Sequence, residues 1–230
     1  MKKFMINHIP AVLYGEPSDK VFLYVHGRDG NKEVAVSFYQ KVKAAGWQVL
    51  SIDLPKHGER LESAEKFNPW MIVPELNLMY SYAHDQWDTI GICADGIGAY
   101  FALRAFQRDT FEQGVFISPN VDMARYIDDA LEAGELTPDD LKAAQRLDTC
   151  HGVHLSWDYY LYTHANPIKD WDTPTEILIG KEDIFVNPEA IQEFAQRFGC
   201  GVTVAADCDH SFSDDKQQLV LEEWVKGIVK

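Results

Sequence analysis

Ile90-Gly91-Ile92-Cys93-Ala94-Asp95-Gly96-Ile97-Gly98-Ala99-Tyr100 is the stretch that decides the fold. Its first half is a short apolar run, the signature of a buried strand. From Ile97 the chain continues through Ala99, Tyr100, Phe101, Ala102 and Leu103, which suits a helix. Between them stands a sharp turn framed by small residues, Ala94-Asp95-Gly96-Ile97-Gly98, with glycine at its centre. A strand that breaks into a helix in this way holds the central residue of the turn at the sheet edge, in a strained backbone conformation.

Working outward, the same alternation recurs. Val21–Val25 is a continuous β-rich run, as expected of a strand covered on both faces. It ends in the glycine-rich loop His26-Gly27-Arg28-Asp29-Gly30, and a helix with an apolar stripe follows over 32–45. Gln48–Ile52, Val115–Ser118, Glu176–Ile179 and Val202–Ala205 read as further strands, with helices over 73–83, 97–107, 188–198 and 217–228. Two short strands at the start flank Pro10. Strands alternating with helices argue for an α/β fold with a mostly parallel central sheet covered on both faces. Asp122 to Asp172 breaks the rhythm: it is acidic, helical in pattern and without a strand signal. We read it as a helical cap inserted into a single domain spanning 1–230.

Composition narrows the function classes. A formal net charge of −15 argues against nucleic acid and anionic membrane surfaces, which need basic patches. No leader peptide or membrane span is read from the apolar runs, and the four cysteines show no CxxC spacing, so a reduced, cytoplasmic protein is expected. No cofactor motif is found. The spacing of Cys200, Cys208 and His210 matches no recognised metal set. His151 and His154 could share a helix face, read as solvated surface.

In open parallel sheets ligands sit at the carboxyl ends of the strands. The loops at those ends hold His26-Gly27, Asp53 to Arg60, the glycine turn at 96, Asp183 and His210. An imidazole that works as a base needs a carboxylate to fix its tautomer, and Asp183 and His210 are placed to be that pair. Their order after the turn is the order found in α/β-hydrolases.

The chain resembles the α/β-hydrolase superfamily over nearly its full length. The matching residues are His26-Gly27-x-x-Gly30, Asp53-Leu54-Pro55-Lys56-His57-Gly58, Gly98-Ala99-Tyr100, Gly180-x-x-Asp183 and Asp209-His210. It looks most similar to small bacterial hydrolases of the esterase or dienelactone-hydrolase-like type. The resemblance implies an acyl hydrolase acting on a small ester-like molecule. Asp183 would be the acid and His210 the base of a catalytic triad, and the backbone N–H groups of Arg28 and Ile97 would form an oxyanion hole. The nucleophile would stand at 96, where this sequence has glycine.

Three readings of position 96 follow. The preferred one takes Gly96 at face value: the nucleophile site is vacant and the protein is inactive, very weak, or a non-catalytic binder of a small ligand. The second moves the nucleophile to Asp95, through an ester intermediate. Residue 97 would then have to be small, and it is isoleucine. The third uses Cys93, which fits the front of a cysteine elbow but not its back. Trp157 and Tyr160, in the aromatic run of the cap segment, are candidates for a substrate-binding roof. Oligomeric state is not legible in the sequence.

Overall fold

Side chains alternate along the strand β5 (Thr89–Asp95): Ile92 and Ala94 enter one apolar core and Cys93 enters another. The same division runs through β3 (Lys20–Val25), where Val21, Leu23 and Val25 join the first core and Phe22 and Tyr24 the second. Strands with two apolar faces need cover on both sides, and the computed structural model, which describes residues 1–148 and 154–230, shows how it is supplied.

The main sheet has eight strands. To β3 and β5 it adds β1 (Lys2–Ile6), β2 (Ile9–Tyr14), β4 (Gln48–Ile52), β6 (Gly114–Ile117), β9 (Thr175–Gly180) and β10 (Gly201–Ala205), in the order β1-β2-β4-β3-β5-β6-β9-β10. β2 pairs antiparallel with both β1 and β4, and the other pairs are parallel. α1 (Ala35–Val42) and α8 (Asp215–Ile228) cover the face that carries Phe22 and Cys93. α2 (Pro69–His84), α3 (Ile97–Phe106) and α7 (Pro188–Phe198) cover the other. Between β6 and β9 lie α4 (Met123–Ala133), α5 (Pro138–Ala144) and α6 (Trp157–Ala165).

Three expectations need correction. The first hairpin turns at Asn7 and His8, with Asn7 at φ 53°, and Pro10 lies inside β2 opposite Met5. α2 starts at Pro69, four residues before the sequence pattern placed it. Asn68 caps it by accepting from the Met71 N–H at 3.0 Å, and Pro74 sits within the helix, in its second turn. The segment 122–172 is not wholly helical: β7 (Arg146–Asp148) and β8 (His154–Ser156) form a small antiparallel pair of three residues each, too short to show a period. His154 belongs to β8 and bonds Asp148; its proposed helical partner His151 lies outside the described residues. No described helix is long and apolar enough to cross a membrane.

Candidate active site

The turn after β5 is built as its sequence implies. Gly96 has φ 50° and ψ −123°, a conformation that side chains rarely adopt, and it is the N-cap of α3. Its N–H donates to the Ile117 carbonyl at 3.0 Å, and its own carbonyl accepts from Asn120 at 2.9 Å, so the β6 end locks the turn in place. Gly98 answers a close approach. A Cβ there would stand 2.5 Å from the Val25 carbonyl oxygen and 2.6 Å from that of His26. The first turn of α3 therefore rests on the backbone where β3 becomes its loop.

That loop is braced from the other side. His26 is fully buried; Nδ1–H donates to the Gly27 carbonyl at 2.8 Å and Nε2 accepts from the Leu54 N–H at 3.1 Å. Burial pushes its imidazole down to about 4, so the ring is a neutral strut. Asp53, also fully buried, pairs with the Lys32 ammonium at 2.6 Å and accepts from the Lys32 N–H at 2.8 Å. The His57 ring faces the Arg28 carbonyl through Nε2 and the Pro55 carbonyl through Nδ1.

Two loops at the far strands bring the imidazole. His210 Nδ1–H donates to Asp183 Oδ2 at 2.7 Å. The other Asp183 oxygen accepts from the N–H groups of Phe185 and Val186, at 2.8 and 3.1 Å. Burial pushes the Asp183 carboxyl up, but the His210 contact and the two N–H donors outweigh it and hold it below the ordinary carboxylate value. The Phe185 ring stands edge-on to the imidazole, 5.2 Å between centroids. A Cβ built on Gly96 would lie 3.4 Å from His210 Nε2. Gly96, Ile97, Arg28 and His210 border one cavity of about 480 Å³, as do Met123, Tyr126, Phe185 and Val186. Ile97 is the first residue of α3, so its N–H has no partner within the helix.

The other candidates fall elsewhere. Cys93 is fully buried in the core under α1 and α8, burial pushes its thiol well up, and it does not border the cavity. Asp95 does border it, but its carboxylate turns toward β3, where Oδ2 accepts from the Tyr24 hydroxyl. Burial pushes its carboxyl up to about 6. Trp157 and Tyr160 do not border the cavity. They stack on each other at 5.1 Å, and Tyr160 stacks on His164 at 4.0 Å, because successive turns of α6 carry the three rings along one stripe. The wall expected of them comes from Met123, Tyr126 and Phe185 instead. Met123 and Tyr126 carry no sequence signal beyond an amphipathic helix. Phe185 could have been found from its place two residues after Asp183.

No family model matches the chain, and no curated protein does. Solved structures do match. Est1E from Butyrivibrio proteoclasticus superposes with a TM-score of 0.77 at 17% identity, over 98% of this chain and 96% of its own. The same enzyme with ferulic acid bound gives 0.76 at 19%, over 99% and 97%. Alpha/beta hydrolase domain-containing protein 10 from mouse gives 0.75 at 12%, over 99% and 97%. This chain has the α/β-hydrolase fold. Gly96 stands at the turn that follows the central strand β5. The sheet thus brings the glycine turn, the N-terminus of α3 and the imidazole of His210, held by Asp183, to one cavity.

Proposed function

We propose that the cavity is the acyl site of an ester hydrolase from which the nucleophile is missing. One observation carries this reading: the 3.4 Å between His210 Nε2 and the Cβ position of Gly96. An oxygen one bond further out would be within hydrogen-bond reach of the imidazole. In this reading Asp183 orients His210, His210 is the base, and the N–H groups of Arg28 and Ile97 face the developing oxyanion. α4, α5 and α6 form the cap, with Met123 and Tyr126 closing the acyl side. The ligand is a small carboxylic ester or its acid, as the ferulic acid bound by Est1E is for that enzyme.

Glycine leaves His210 without a hydroxyl to deprotonate. A water in the vacated space could be activated instead, and a triad stripped of its nucleophile retains roughly 10³–10⁴-fold acceleration over water in serine proteases. The protein is thus a binder of acyl compounds with slow turnover at most. Unbridged Cys93, Cys200 and Cys208 fit a reducing, cytoplasmic setting.

The test is hydrolysis of small nitrophenyl esters by the natural chain, by Gly96→Ser, and by Gly96→Ser combined with His210→Ala. The serine variant should gain activity that the second substitution removes. Rapid turnover by the natural chain would overturn the proposal.

A further inference from the structure

His57 presents its two ring nitrogens to two acceptors. Nδ1 lies 2.9 Å from the Pro55 carbonyl, and Nε2 meets the carbonyl of Arg28. A neutral imidazole has one donor and one acceptor, so in that form a lone pair must face one of these oxygens. The charged ring has two donors and satisfies both. His26 shows the contrast, 5.0 Å away between centroids. It donates to the Gly27 carbonyl and accepts from the Leu54 N–H, which is the pattern of a neutral ring.

The two rings hold consecutive peptide groups of the loop after β3. The Gly27 carbonyl shares a trans peptide plane with the Arg28 N–H, and the two point opposite ways. The Gly27 carbonyl is met by His26 and by the Gly30 N–H at 3.2 Å, which together fix the direction of the Arg28 N–H. The Arg28 carbonyl lies in the next plane, and among the described residues His57 is its only hydrogen-bond partner. With both planes pinned, the φ and ψ of Arg28 are set from either side. With the second released, they are free to turn. Arg28, Asp29 and Gly30 all border the cavity that holds Gly96.

The charges around the ring are met elsewhere. His26 is neutral, and Phe67, 4.7 Å away between centroids, carries no charge. Asp53 is matched by Lys32 and Arg60 by Glu75, at 2.6 Å each. Lys56, Glu59, Arg28 and Asp29 are exposed, and no carboxylate pairs with either nitrogen of His57 among the described residues. The ring is half-buried, so solvent reaches it to deliver or remove a proton.

We propose that His57 is a positioning residue that works as a proton-operated clamp. Doubly protonated, it ties the loop 27–30 to Pro55 and fixes the Arg28 peptide. On losing a proton it keeps the local contact with Pro55, turns a lone pair to the Arg28 carbonyl and lets that peptide go. The consequence for catalysis rests on the reading of the Arg28 N–H as an oxyanion donor; the clamp itself does not.

NMR titration of the natural chain from pH 5 to 8, the range in which imidazoles change charge, tests the clamp. The backbone amides of Arg28, Asp29 and Gly30 should shift with the same midpoint as the His57 ring nitrogens. The shifts should vanish in His57→Gln, whose side chain does not titrate, and persist in His210→Ala. A His57 ring that holds one protonation state throughout, or loop amides that do not follow it, would overturn the clamp. So would loop shifts that survive in His57→Gln or disappear in His210→Ala. The natural chain carries the primary readout, so the test stands even where a variant fails to fold. The catalytic consequence is read in the Gly96→Ser background with a small nitrophenyl ester. Removal of an oxyanion-hole donor costs about 10²–10³ in kcat, and here the donor is loosened rather than removed. The ratio of kcat in Gly96→Ser to that in Gly96→Ser with His57→Gln should therefore fall about tenfold as His57 loses its proton, with the KM ratio unchanged. A constant kcat ratio would overturn the role at the oxyanion. An inactive Gly96→Ser would overturn the acyl-site reading, while the NMR titration still decides the clamp.

Discussion

Nε2 of His210 stands 3.4 Å from the place where Gly96 would carry a Cβ. The imidazole is held by Asp183 at 2.7 Å, so a hydroxyl added at 96 would meet a ring already fixed in place. Gly96→Ser is expected to raise hydrolysis of small nitrophenyl esters by roughly 10²-fold or more, measured as kcat/KM. The same change places a side chain at φ 50°, which costs about 1–3 kcal/mol. The variant should therefore melt a few degrees lower than the natural chain, and a gain of activity with no loss of Tm would show that residue 96 had left its present conformation.

Gly98→Ala sets two effects against each other. In an exposed helix, alanine is better than glycine by about 1 kcal/mol. At this position the new Cβ would stand 2.5 Å from the Val25 oxygen and 2.6 Å from the His26 oxygen, both backbone atoms that cannot step aside cheaply. Crowding of this kind costs about 1–3 kcal/mol, so net destabilisation is expected in urea unfolding, together with weaker binding of acyl ligands as α3 lifts from the loop at Arg28. A more stable variant would contradict the close approach.

Asp95 makes stability depend on pH in an unusual direction. Burial raises its carboxyl from 3.8 to about 6 in the folded chain. The folded state then binds the proton more tightly than the unfolded one, so this residue's contribution falls as pH rises from about 4 to about 6. The gap corresponds to about 3 kcal/mol, part of the burial effect being already offset by Tyr24, His210 and Lys41. Asp95→Asn should be more stable than the natural chain above pH 6, with the difference vanishing below pH 4. Chemical denaturation at a series of pH values reads this directly; a natural chain that is the more stable of the two at pH 7 would refute it.

His26 acts with the opposite sign. Its folded value is lowered from 6.5 to about 4, so the unfolded state takes the proton first and stability is lost as pH falls through that window. The size is again about 3 kcal/mol. Between pH 4 and 6 the two residues oppose each other and flatten the profile of the natural chain. In Asp95→Asn the His26 slope stands alone, and stability should drop on acidification from pH 6.5. The His26 ring should keep the NMR shifts of a neutral imidazole down to about pH 5.

Much of the fold was legible because the parallel strands are continuous apolar runs and the helices between them carry stripes. The turn at 96, the pair Asp183 and His210, and the loop at Arg28 could be placed from strand order alone, since parallel strands deliver their loops to one edge. Other elements escaped for physical reasons. Pro74 obscured the start of α2, although Asn68 and Pro69 together spell a helix cap. The β7–β8 pair is held by cross-strand register over three residues, which leaves no periodicity to read. Trp157 and Tyr160 looked like a roof because aromatic clusters often are one; their stripe on α6 turns them onto each other.

By itself the sequence determined that a strand breaks into a helix at Gly96, that no side chain stands at the apex, and that a carboxylate and an imidazole follow on later loops. These are local facts of residue type, period and order. The tertiary structure alone decided that Asp183 and His210 meet at 2.7 Å, and that Asp95 turns to Tyr24 rather than to the imidazole. It also decided that Met123, Tyr126 and Phe185 wall the cavity. Such contacts join positions far apart in the chain. Sheet register, side-chain direction and helix packing fix them, and none of these is written in any one stretch.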